Sequence, residues 1–146
     1  MLYFRAHLSG VASVTAELIG RDDQKPTCLG NYELMICEKG EASWGPSIIS
    51  RLAHCTRNTP LEPGETMDIG PAAPRGSTIV ALLFSEYARF DLFDRRCGLL
   101  LCIGLTKDEL SACRRGLAHE VEAALKVVGI YPFTESYRLS VSVTAG

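Results

Sequence analysis

The sequence predicts an α+β fold, a mixed and mostly antiparallel sheet with a long C-terminal helix and a shorter mid-chain helix packed on it. Three observations lead there. A capped amphipathic stretch opens at Thr106 and keeps helical spacing as far as Val128. Two nearly continuous apolar runs, residues 77–85 and 97–105, have the length and composition of strands covered on both faces. Elements follow one another as strands, helix, strands, helix with no dividing linker, so all 146 residues are read as a single domain.

Residues 2–8 mix aromatic and apolar side chains and read as a first strand. Residues 13–19 alternate through Val14, Ala16 and Leu18 and read as a second. Residues 31–38 are apolar at Tyr32, Leu34 and Ile36, and also at Met35 and Cys37. A helix is expected over 46–55. Pro46 suits its first turn, where a missing N–H costs nothing, and Ile48, Ile49, Leu52, Ala53 and Cys55 form its inner face. Trp44 is large enough to anchor its entry, and Asn58-Thr59-Pro60 closes the segment with turn chemistry. A short strand follows at 65–69, then the two apolar runs.

The long helix, 107–128, has Thr106 at the N-cap and Glu109 three residues later, the capping-box spacing. Asp108 adds negative charge where the helix dipole favours it. Leu110, Cys113, Leu117, Val121, Ala124, Leu125 and Val128 make one apolar stripe. Gly129 supplies the stop and Pro132 forbids simple continuation. In the tail, 130–146, Tyr137, Leu139, Val141 and Val143 alternate with Arg138, Ser140 and Ser142. That is a half-buried strand pattern, fit to add an edge strand or to pair across a dimer; a frayed terminus is the competing reading.

Composition narrows the function. Hydrophobic residues make up 47% of the chain, enough for a core. Charged residues make up 22% and the formal net charge is −2, with basic residues scattered, so neither nucleic acid nor an anionic membrane is expected as partner. No apolar run approaches the roughly 18 residues of a membrane-spanning helix. Arg5 and His7 interrupt what would be the apolar stretch of a signal peptide, so a cytoplasmic location is the expectation. In that setting the six cysteines read as reduced thiols, most of them core residues.

Five segments in order carry a resemblance to a known family. They are the strand Tyr32-Glu33-Leu34-Met35-Ile36-Cys37, the Trp-led helix ending in Leu52-Ala53, and Gly64-Glu65-Thr66-Met67-Asp68-Ile69-Gly70-Pro71. The apolar strand of residues 77–84 follows, and then residues 99–105 lead directly into Thr106-Lys107-Asp108-Glu109-Leu110. Over residues 32–128 the chain resembles the suppressor-of-fused domain family. The resemblance implies a sheet-and-helix scaffold that holds another polypeptide, and a role like that of bacterial immunity proteins that neutralise toxins.

Catalytic signatures fail on spacing. His119-Glu120 would need a second histidine at position 123 to bind zinc as metalloproteases do, and that position is Ala123. His54 and Cys55 are neighbours, which on a helix point about 100° apart and so do not form a nucleophile–base pair; a core Cys55 beside a surface His54 is the simpler reading. There is no Cys-x-x-Cys pair, and Cys97 and Cys102 fall on opposite faces of a strand. No metal or cofactor is therefore expected, and noncatalytic protein binding is the reading. The alternative is a small hydrolase or transferase that uses Cys55 or Asp68 in an unrecognised site.

One exposed candidate remains, the segment 85–96 that joins the two apolar runs. It is aromatic and charged, and Tyr and Arg are over-represented at interface hot spots. Tyr87, Arg89 and Phe90 are the expected partner-binding residues. Against this stands a plain hairpin loop whose Phe90, Leu92 and Phe93 alternate or tuck under the sheet.

Overall fold

The computed structural model describes residues 1–4 and 9–143. Its strands are β1 (Leu2–Phe4), β2 (Gly10–Val14), β3 (Asn31–Lys39), β4 (Thr66–Asp68), β5 (Ile79–Leu92) and β6 (Arg95–Thr106). Helix α1 (Gly45–Cys55) lies between β3 and β4. Helices α2 (Lys107–Ala112) and α3 (Ala118–Val127) follow β6, joined by a π turn at Cys113–Leu117. Among the described residues the sheet has six strands in the order β1-β2-β3-β6-β5-β4. Every neighbouring pair is antiparallel except β3 with β6. The α+β class, the mixed sheet and both helices are as the sequence predicts.

Helices cover both faces of the central strands, which is why those strands read as unbroken apolar runs. On one face Leu34, Ile36, Leu82, Phe84 and Leu100 pack against Ile49 and Leu52 of α1. On the other, Met35, Leu83, Leu101 and Ile103 meet Leu110 of α2 and Val121 and Leu125 of α3. Each such side chain contributes roughly 1.5–3 kcal/mol by leaving water.

Several boundaries differ from the expected ones, each for a local reason. The first strand is seen at Leu2–Phe4, while 5–8 lie outside the described residues. The second stops at Val14 instead of running to 19, because Glu33 on β3 draws the chain out of the ladder. Its carboxylate accepts the Thr15 hydroxyl at 2.7 Å and the N–H groups of Leu18 and Ile19 at 3.0 and 2.7 Å. The long helix is interrupted at Cys113–Leu117, where Gly116 takes φ 89°, a conformation in which a side chain would be strained.

The tail forms no strand between 134 and 143. It touches the sheet at Thr134, whose N–H bonds to Cys37 O at 2.8 Å and whose hydroxyl accepts Gly104 N–H at 2.8 Å, and beyond that point its polar groups bond mainly to side chains and loop ends. Ser136 O accepts Thr78 N–H at 2.8 Å, and Ser136 Oγ accepts the Trp44 indole N–H at 2.9 Å. Arg138 forks onto Glu109 at 2.6 and 2.5 Å, and Val141 N–H adds a bond to the same carboxylate at 2.9 Å. Tyr137 and Leu139, which the alternation would bury, are exposed, whereas Val141 and Val143 pack on the core. The tail is a strap.

Segment 85–96 is not a loop. β5 continues through it to Leu92, β6 begins at Arg95, and a two-residue turn, Phe93-Asp94, joins them. The two strands stay paired from Leu92↔Arg95 inward, with an irregularity between Glu86 and Ala88.

Candidate functional site

Helices α2 and α3 cover only part of their face of the sheet. The remainder is a groove of about 850 Å³. Its floor comes from Met35 and Glu33 of β3 and Leu99 of β6, which the parallel register sets side by side as Glu33↔Leu99. One wall is Ala12 and Val14 of β2 with Leu2 of β1. The opposite wall is the β5–β6 arm, through Tyr87, Phe90, Leu92 and Phe93.

Among the described residues the lining is mostly apolar, and Glu33 and Arg95 carry its charges. Glu33 is buried, and the Thr15, Leu18 and Ile19 donors occupy its oxygens, so it builds the wall. Arg95 is half exposed and pairs loosely with Asp22 at 3.9 Å, itself 98% exposed. The arm offers an unusual amount of bare apolar surface: Tyr87, Phe90 and Leu92 are each about 40% exposed and Phe93 is 91% exposed. Tyr and Phe are enriched at protein interfaces, and contiguous apolar exposure marks binding surfaces.

The three expected partner-binding residues are split by the sheet. Tyr87 and Phe90 line the groove. Arg89 pairs across the ladder with Gly98, and Glu86 with Leu100, a residue of the α1-side core, so both point to the opposite face. There the Arg89 guanidinium bonds to the Glu86 carboxylate, which together with its coulombic attraction holds the guanidinium pKa above its ordinary value. Leu2, Ala12, Val14, Met35, Leu99, Leu92, Phe93 and Arg95 were not foreseen as binding residues, because five strands bring them together. A single signal was available: Phe93-Asp94 places an aromatic residue in a two-residue turn.

The residues of the enzyme alternative do not converge on this groove. Cys55 ends α1, exposed rather than in the core, with its thiol against Arg51 O at 3.7 Å, and His54 beside it is exposed too. Asp68 lies on β4 at 3.4 Å from Arg114. All six cysteines are free. Burial pushes the Cys37 and Cys102 thiols up to about 12, and burial followed by the Glu109 charge pushes Cys113 up to about 11. Such thiols stay protonated at neutral pH and make poor nucleophiles. Among the described residues no group of three or more His, Cys, Asp or Glu is placed to hold a metal ion, and no helix is long and apolar enough to cross a membrane.

No protein-family model matches the chain, and no curated protein matches it. Among solved structures it is similar to that of a "Putative SUFU (suppressor of fused protein) homolog" from Neisseria gonorrhoeae. Identity is 20% and the TM-score 0.68, over 98% of this chain and 78% of that one.

Proposed function

From a chain with a suppressor-of-fused-like fold, we propose a noncatalytic protein-binding domain whose binding surface is the groove between β2 and the β5–β6 arm. The observation that carries this reading is the aromatic wall. Tyr87, Phe90 and Leu92 stand exposed over an apolar floor whose one buried carboxylate is already satisfied. An extended apolar segment of a partner polypeptide would bury that wall, with Tyr87 and Phe90 as anchors. Arg89, on the opposite face, is outside this surface. The immunity role implied by the family resemblance is one form of the same reading, in which the partner is a toxin and co-expression relieves its growth arrest.

The test is capture of the partner by the immobilised native chain, compared with Tyr87→Ala/Phe90→Ala and with Arg89→Ala. The double variant should weaken capture by at least about tenfold, as loss of interface anchors does, and Arg89→Ala should leave it unchanged. Capture that survives the double variant overturns the assignment.

A further inference from the structure

Phe93 departs from two local rules at once. It is the first residue of a two-residue hairpin turn, with φ 49° at Phe93 and 62° at Asp94. Turns with both central residues at positive φ favour Asn, Asp and Gly, and a bulky side chain there is strained. The residue is also 91% exposed, so its side chain recovers little by burial within its own chain. A residue that strains the backbone and gains almost nothing by burial in its own chain points to a contact made elsewhere.

We propose that Phe93 is the knob of a two-fold symmetric homodimer, in which each copy seats its Phe93 ring in the groove of the other. A two-fold interface needs a patch that complements itself. Here the knob and the hole belong to one patch, since the turn that carries Phe93 closes the wall of the apolar groove.

The charges fit the same arrangement. Asp94 follows the knob directly, and Arg95 is the one cation lining the groove among the described residues, held within its own chain only loosely by Asp22 at 3.9 Å. An incoming Phe93-Asp94 turn brings a carboxylate toward that guanidinium, and the symmetry repeats the pair. Leu2, Tyr87, Phe90 and Leu92, all exposed in the single chain, are covered in the same step. A net charge of −2 leaves little repulsion between copies. This inference needs only the turn and the groove and does not rest on the partner reading. Its consequence is that a second copy and a partner exclude one another.

Sedimentation velocity of the native chain, from low micromolar to submillimolar concentration, should show a reversible monomer–dimer equilibrium. Phe93→Asn should raise the dimer Kd by at least about tenfold. Asn suits positive φ, so this variant should keep or raise the melting temperature, which separates lost association from lost folding. Arg95→Glu should also weaken the dimer, and Asp94→Lys/Arg95→Glu should restore it by reversing both charges. A chain that stays monomeric throughout, or a dimer whose Kd Phe93→Asn does not move, overturns the proposal. So does a monomer that needs Phe93 only for partner capture. The partner reading is tested separately by Tyr87→Ala/Phe90→Ala and survives any of these results.

Discussion

A carboxylate taken out of water must be given donors in exchange, and Glu109 receives four. Its side chain is fully covered, yet Thr106 N–H, both terminal nitrogens of Arg138 and Val141 N–H all bond to it. Burial works against its charge, but the Arg138 bonds, the backbone donors and the Arg138 charge together hold the carboxyl below its ordinary range. Removing one partner leaves a buried charge exposed to its full desolvation cost. Arg138→Met should therefore lose about 3–5 kcal/mol in denaturant unfolding, and Glu109→Gln/Arg138→Met should recover part of it. A group whose folded pKa is depressed stabilises fully above its unfolded pKa, about 4.3 for Glu, and loses that contribution as the pH falls through the folded value. The gap between native chain and Arg138→Met should hold steady at neutral pH and shrink in acid; a gap that ignores pH would contradict the assignment. Half of this site was legible, because Thr106 and Glu109 stand at capping-box spacing. Arg138 was not, since 29 residues separate it from Glu109 and no local pattern links them.

At the scale of elements, end signals were readable and interruptions were not. Gly129 closes α3 as expected, at φ 78°, with Ile130 N–H bonded to Leu125 O at 3.0 Å and Gly129 N–H to Lys126 O at 3.2 Å. These are the two bonds of a Schellman stop. Nothing lies within 4 Å of a Cβ built at Gly129, so Gly129→Ala tests the backbone alone and should cost about 1–2 kcal/mol by denaturant titration. A smaller loss would mean that the stop is held by the packing of the strap. Gly116 hid its effect because the apolar stripe resumes in phase at Leu117 and Val121. The β5–β6 arm hid for another reason. Its irregularity between Glu86 and Ala88 shifts the register, and Glu86, Arg89, Asp91 and Asp94 mask what alternation remains. One inference was available from period two alone: Arg89 and Phe90 are neighbours in sequence, so a strand must turn them to opposite faces.

For the molecule as a whole, the antiparallel halves β1-β2-β3 and β4-β5-β6 meet along a single parallel seam, β3 against β6. The strap fastens the end of this assembly. Phe133 is buried beside Cys37, whose carbonyl accepts Thr134 N–H at 2.8 Å. A chain ended after Tyr131 loses Phe133, Thr134 and Arg138 together and should be destabilised by at least about 3 kcal/mol. Thermal unfolding measures it, and a truncated chain that melts with the native one would make the strap idle. The sheet class was legible because each strand announces itself locally; the groove was not, because it exists only after the seam has aligned Glu33 with Leu99. That seam also orders events in time. Synthesis delivers β3 long before β6, and pairings so distant in sequence form slowly because the intervening chain must first be closed. Until residue 97 and its successors emerge to meet residue 31, the apolar flank of β3 waits as an open edge, the kind of surface on which nascent chains aggregate.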